Sequence, residues 1–474
     1  MSDHDVETRE ERSFFFCGIG GSGMLPLAQI AHGMGYSVAG SDRSYDQGRT
    51  PEKFGWLAQN GFKLFAQDGS GISSENQVLI ASAAIEDTVP EVARSNALGC
   101  SRMSRAELLS EFFNAAGYSL AVGGTSGKST VTGMIAWILS HEGHNPTVMN
   151  GAVMKNFADD ANPFASARVG SRHLFVSEVD ESDGSIALYR PTIGVLLNVS
   201  LDHKSLVELR DLFGEYLAVS GCAVVNFDND EARALGLRAK QLVSFAVHNS
   251  SADITVEGES IEQGALSISA TVIDNRSGEK AALTLPMPGM HNLSNALAAI
   301  AAASAAGISL EKAVAALKEF GGLARRFDVI GTTPNGISVI DDFGHNPEKC
   351  AATLRTLKST AGRVIAFFQP HGYGPLRQMG DELAETFARE LDEGDITIMC
   401  DPVYYGGTVD RSEGTERIIA LIEGHGGNAQ HIAQRSACAD RIVEIARDGD
   451  RIVVMGARDD TLSTFARGIF ERLE

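Results

Sequence analysis

Apolar residues fall along this chain in short continuous runs separated by stretches of helical periodicity, the pattern of buried parallel strands joined by crossover helices. Residues 14–16, 37–40 and 78–81 read as strands, and a helix follows near 105–113. A second series opens with a strand at 118–122 and a helix whose apolar face is Val131, Met134, Ile135, Ile138 and Leu139, then continues with strands at 173–176 and 193–199. Between Asp253 and Leu285 the pattern changes to a polar-apolar alternation that predicts antiparallel hairpins, and 292–306 predicts an alanine-rich packed helix. A third series places strands at 337–340, 364–368, 396–399 and 451–455. The expected fold is therefore α/β with three domains: a Rossmann-like domain over 1–116, a central P-loop ATPase-type parallel-sheet domain over 117–321, and a Rossmann-like domain over 322–474.

Composition narrows the function. A chain of 474 residues suits about three domains, and 43% hydrophobic with 21% charged residues is ordinary for a globular protein. The net charge of -21 argues against nucleic acid and against an anionic membrane surface, while leaving room for a local basic pocket that takes an anionic substrate. The six cysteines are scattered without a C-x-x-C pair, which points to a reduced cytoplasm rather than to zinc or redox chemistry. Residues 14–16 are too short for a signal-peptide core and 296–310 too short for a membrane span, so a cytoplasmic protein without membrane insertion is expected.

The chemistry is concentrated at predicted strand ends. Gly124-Thr125-Ser126-Gly127-Lys128-Ser129-Thr130 lies between a strand and a helix, the context of a phosphate-binding loop. There, backbone N–H groups cradle phosphate oxygens, Lys128 reaches the outer phosphates and the Ser129 hydroxyl ligates magnesium. Gly18-Ile19-Gly20-Gly21-Ser22-Gly23-Met24, with Ser41-Asp42 about twenty residues on, fits a nucleotide whose ribose is held by the acidic residue. A dinucleotide cofactor or a ligand-free tight turn fits that segment too. Glu178 ends one strand and His203 follows another, so both should face the crevice of the phosphate loop, where a carboxylate and an imidazole could hold a metal ion, or serve as a capping or salt-bridging carboxylate and a packed ring. His291, Asn292 and Asn295 could read an adenine edge or cap the helix they open. Arg326 could close on a γ-phosphate or be one of two surface arginines, and Asp342 with His345 supplies a carboxylate and an imidazole at a strand end or belongs to a turn.

Taken in order, these segments resemble the Mur ligases of bacterial cell-wall synthesis, above all the branch that joins L-alanine to UDP-N-acetylmuramate. The resemblance spans Phe16 to about Ala457. It implies an uridine-nucleotide site at Gly20, Gly21, Ser22, Gly23, Met24, Ser41, Asp42 and Ser82 in place of the NAD reading, and an ATP loop at 124–130. It further implies Ser129, Glu178 and His203 as Mg²⁺ ligands, an adenine site at His291, Asn292 and Asn295, Arg326 on phosphate, Asp342 on the ribose, and His345 and Arg377 toward the substrate. The implied reaction uses ATP to form an acyl phosphate on the substrate carboxylate, which an amino acid or short peptide then attacks through its amine. The chain departs from that branch at His345-Asn346, where two histidines are usual, at His371–Arg377, where Arg377 alone survives from a basic cluster, and at Ser126, Gln67-Asp68 and Gly456–Thr461. Those departures leave room for a ligase that attaches a ready-made cell-wall tripeptide, and, from another class, for a non-catalytic nucleotide-binding regulator.

Overall fold

The computed structural model describes residues 12–82, 85–200, 204–403, 411–457, 459 and 461–474. The described chain divides into two compact units, one of residues up to Ser260 with Ala270–Leu283 and Ser294–Gly321, the other of Ile261–Ser269, Thr284–Leu293 and Gly322–Glu474.

The first unit holds two sheets. In the first, β1 (Ser13–Cys17), β2 (Ser37–Ser41), β3 (Lys63–Phe65), β4 (Gln77–Ala81) and β5 (Arg102–Ser104) run parallel in the order β3-β2-β1-β4-β5. The triple phenylalanine works because both faces are covered. Phe14 and Phe16 enter one apolar core while Phe15 and Cys17 enter the other, the two-residue period of a strand. Helix α1 (Met24–Gly33) leaves the glycine turn with Leu25, Leu27, Ile30 and Ala31 buried, and α2 (Arg105–Asn114) opens on a reciprocal capping box between Ser104 and Glu107.

The second sheet is built on β6 (Tyr118–Gly123), β7 (Pro146–Met149), β8 (Ala167–Arg168), β9 (Ser171–Glu178), β10 (Ile193–Leu196), β11 (Cys222–Asn226), β12 (Leu242–Phe245) and β13 (Ile254–Val256). Their order is β13-β12-β11-β10-β6-β9-β7-β8, parallel except for β8. The hairpins expected after Asp253 are present as β14 (Glu262–Gln263), β15 (Ile268–Asp274) and β16 (Glu279–Leu285), with β15 antiparallel to both β13 and β14. Helix α3 (Lys128–His141) follows the phosphate loop, and the buried Tyr216 on α4 (Leu206–Val219) donates to the Ala121 carbonyl of β6 at 2.7 Å. One strand is shorter than its apolar run predicts: β10 stops at Leu196 because Asn198 turns its carbonyl and amide to the phosphate loop instead of to a neighbouring strand. A single apolar core continues from Phe14 and Leu109 to Phe175 and Val225, and Phe113 meets Phe175 and Tyr189 edge to face. That continuity makes the two sheets one unit.

In the second unit, β17 (Asp328–Thr332), β18 (Ser338–Asp342), β19 (Val364–Gln369), β20 (Ile396–Met399), β21 (Ala429–His431) and β22 (Arg451–Gly456) form the order β17-β18-β22-β19-β20-β21, with only β17 antiparallel. Along β19, Val364, Ala366 and Phe368 face one core and Ile365 and Phe367 the other, so the sheet is covered on both sides.

Tyr216→Phe removes one donor from a fully buried site without changing the ring. The expected cost is about 1 kcal/mol, seen as a lower urea midpoint with unchanged slope; an unchanged midpoint would deny the Tyr216–Ala121 tie any share in holding β6.

Candidate active site

The phosphate loop leaves β6 at Gly123 and reaches α3 through two glycines in positions a side chain would strain. Gly124 has φ +136°, and a Cβ there would lie 3.0 Å from Leu197; Gly127 caps α3 at φ +87°. The loop is held from β10. Thr125 N–H donates to the Asn198 carbonyl at 3.1 Å, Ser126 N–H donates to Asn198 Oδ1 at 2.9 Å, and Asn198 Nδ2 returns a bond to the Ser126 carbonyl at 3.1 Å. The Asn295 amide abuts Gly127, within 2.7 Å of where a Cβ would stand.

Beside the loop lies a carboxylate wall. Parallel pairing of β6 with β9 sets Glu178 opposite Val122, at the carboxyl end of the sheet where ligands of such folds bind. Ser129 Oγ donates to Glu178 Oε2 at 2.7 Å. Lys128 Nζ donates to the Gly124 carbonyl at 2.7 Å and pairs with the buried Glu181 at 2.8 Å. Thr130 is buried under the first turn of α3. Burial opposes charge on Asp180, yet hydrogen bonds from Ser182 and the charges of Lys128 and Arg105 outweigh it and hold its pKa below the ordinary carboxylate value.

A cleft of about 300 Å³ joins this wall to the N-terminal glycine turn; Ser22, Gly23, Arg105, Met149, Asn150, Gly151 and Glu178 line it. A Cβ on Gly151 would fall 2.2 Å from Glu178 Oε1, so the carboxylate keeps this position only while residue 151 is bare. Asn150 Nδ2 donates to the Ser129 carbonyl at 3.0 Å and so fixes the strand end against α3. In the glycine turn, Asp42 spends both oxygens on the chain, accepting from Gly20 N–H at 2.9 Å and Ser44 N–H at 2.8 Å. Ser41 Oγ donates to the buried Glu91 at 2.8 Å, Met24 packs into the core, and Gly21, Ser22 and Ser82 are exposed. Asp42 and Ser41 thus shape the turn, a role the motif alone does not distinguish from a ribose contact.

In the second unit, Asp342 is buried at the end of β18 and also holds chain: Oδ2 accepts from Phe327 N–H at 2.8 Å, Oδ1 from Gly344 N–H at 2.8 Å and from Thr353 Oγ1 at 2.9 Å. Arg326 stacks its guanidinium 4.5 Å from the centroid of Phe343. His345 lies 2.9 Å from the Phe343 carbonyl through Nδ1, which therefore carries the proton, and 5.5 Å from the ring of His371. Burial, then Lys349, push the His345 pKa down to about 4 against the pull of that carbonyl bond, so its imidazole is neutral at pH 7 with Nε2 as acceptor. Asn292 donates to the Pro288 carbonyl at 2.7 Å, as a helix-opening residue does; His291 and Arg377 are exposed. His203 lies outside the described residues.

The structure thus gathers Ser22, Gly23, the 124–130 loop, Glu178 and Asn295 in the first unit, and Arg326, Asp342 and His345 in the second. Sequence reasoning missed Arg105, Asn150, Gly151, Glu181 and Asn198. Asn150 and Gly151 were within reach, since they come just after the apolar strand 146–149 as Glu178 comes just after the apolar run 173–176.

A phosphate loop behind a second glycine turn, with a carboxylate wall between them, defines an α/β enzyme that activates one acidic ligand with a nucleotide. Three models of known domains match in sequence order: the Mur ligase family catalytic domain over 14–116, the Mur ligase middle domain over 122–303, and the Mur ligase glutamate ligase domain over 325–458. The UDP-N-acetylmuramate–L-alanine ligase of Brucella anthropi is 34% identical over 467 residues, 95% of each chain, and that of a Chelativorans species is 34% identical over 466 residues, 95% of this chain and 96% of its own. Among solved structures, the UDP-N-acetylmuramate-alanine ligase of Thermotoga maritima superposes with a TM-score of 0.79 at 25% identity, covering 97% of this chain and 98% of its own. The murein peptide ligase of Psychrobacter arcticus gives 0.69 at 26%, covering 98% of each. The chain belongs to the Mur ligase family.

Gly151→Ala tests the cleft wall. The added methyl displaces the Glu178 carboxylate from Ser129 and should weaken magnesium-nucleotide binding about tenfold in calorimetry with a magnesium ATP analogue; unchanged affinity would mean that Glu178 in this position does not serve that ligand.

Proposed function

We propose that this protein is an ATP-dependent ligase that joins L-alanine to the carboxylate of UDP-N-acetylmuramate through an acyl phosphate. The observation that carries the proposal is the phosphate loop locked to Glu178 and Glu181 in a chain that matches L-alanine ligases along nearly its whole length. The glycine turn at Gly20–Met24 takes the nucleotide sugar, the loop from Gly124 to Thr130 takes ATP, and the cleft lined by Ser22, Gly23 and Glu178 is where the acceptor carboxylate meets the γ-phosphate. On this reading the domains divide the labour as 1–116 for the acceptor, 117–321 for ATP, and 322–474 for the amine, and the protein works in the cytoplasm.

Lys128 leaves Glu181 to pair with the phosphates, and the loop N–H groups spread the developing negative charge. Ser129 and Glu178 are hard oxygen donors, and the bare Gly151 leaves room at their junction; they suit Mg²⁺, which when bound neutralises phosphate charge. His203 is a third ligand on the family pattern. His291, Asn292 and Asn295 belong to the adenine site. Arg326 supplies a phosphate contact, and Asp342 braces Phe327 and the turn after β18, which fixes Arg326 and His345 at their strand end. The donor's free amine attacks the acyl phosphate. Neutral His345, its Nε2 unprotonated, takes the proton from the nitrogen of the tetrahedral adduct as phosphate leaves, and Arg377 offers a charge for the amine donor's carboxylate. No covalent enzyme nucleophile is required; positioning and charge stabilisation supply the rate.

The second reading is a tripeptide ligase, favoured by the fold shared end to end with a murein peptide ligase and by His345-Asn346 in place of two histidines. ADP release with UDP-N-acetylmuramate and magnesium decides. L-alanine should stimulate it, and Lys128→Ala should lower the stimulated rate by about 10²–10³. Stimulation by the tripeptide alone would replace the first reading with the second; no stimulation by either would overturn both.

A further inference from the structure

Arg105 lines the cleft, and its placement is costly. It is the first residue of α2, where the positive end of the helix disfavours a cation. Its side chain lies flat on the glycine turn: a Cβ on Gly23 would stand 3.0 Å from Arg105 Cδ and 3.3 Å from Nε. Across the cleft it faces carboxylates without touching them, close enough for its charge to act on Asp180. Arg102, three residues earlier, pairs with Asp87, whereas the half-buried Arg105 guanidinium makes no hydrogen bond or close ion pair among the described residues. A forked donor set is thus left open over the mouth of the glycine turn, between the two loops.

We propose that Arg105 is the anchor for the acidic acceptor, donating to an anionic oxygen of its diphosphate or of its carboxylate. The assignment rests on the acceptor proposed above. Such a contact fixes the acceptor between Gly23 and Glu178, so that its carboxylate approaches the phosphate loop without entering the acidic wall.

Calorimetric titration of the ATP-free protein with UDP and with UDP-N-acetylmuramate tests it, comparing wild type with Arg105→Ala and with Arg105→Gln, which keeps much of the aliphatic stem over Gly23. A loss of about 10- to 100-fold for UDP-N-acetylmuramate is expected in both variants, with the KM for ATP unchanged and partial recovery in Arg105→Lys. An equal loss for UDP assigns the contact to the diphosphate; a loss confined to UDP-N-acetylmuramate assigns it to the carboxylate. Variants that bind both ligands as wild type does overturn the role of Arg105 alone, and a wild type that binds neither overturns the acceptor reading and this role with it.

Discussion

The pairing of β6 with β9 is the constraint on which the site depends. A parallel register leaves no freedom along the strands, and this one sets Glu178 opposite Val122, two residues before the loop begins. From that single alignment Glu178 meets Ser129, the chain turns so that Glu181 meets Lys128, and Gly151, just past β7, leaves the Glu178 carboxylate its space. A one-residue slip would turn every side chain of β9 to the other face of the sheet and carry Glu178 away from Ser129. The apolar faces of β6 and β9, with Val176 and Leu120 both buried, enforce the register and so enforce the chemistry.

Ion pairs here hold reactive groups ready rather than supply stability. Lys128 and Glu181 are mostly buried, and such a pair costs desolvation that its attraction roughly offsets. On the proposed mechanism, its value lies in keeping Lys128 extended along the loop until phosphate oxygens replace a carboxylate of similar charge. In the second unit, burial has the opposite use: it keeps His345 neutral while the Phe343 carbonyl fixes which nitrogen carries the proton.

Much of this was legible in the sequence because its signals are local. The phosphate loop is a spacing of glycines, Lys128 and Ser129 between a strand and a helix, and Glu178 is marked by the apolar run it ends. The limits of legibility were equally physical. Glu181 meets Lys128 from 53 positions away, and no local pattern encodes that pairing. Arg105 merely opens a helix in the sequence, and only the fold lays its side chain over Gly23. Strand β10 ended early because the loop outcompeted a neighbouring strand for Asn198. Asp42 and Asp342 read as ligand carboxylates from their strand-end positions, and nothing in the sequence signals that both also hold backbone N–H groups, because those donors are set by the fold of the turns around them.

In the proposed mechanism the loop, Glu178 and the cleft direct the γ-phosphoryl group to the acceptor's carboxylate. Isotope transfer measures that step directly: UDP-N-acetylmuramate carrying ¹⁸O in its carboxylate, turned over with ATP, magnesium and L-alanine, should deliver one labelled oxygen to each inorganic phosphate released. Amide product with unlabelled phosphate would rule out an acyl phosphate on that carboxylate.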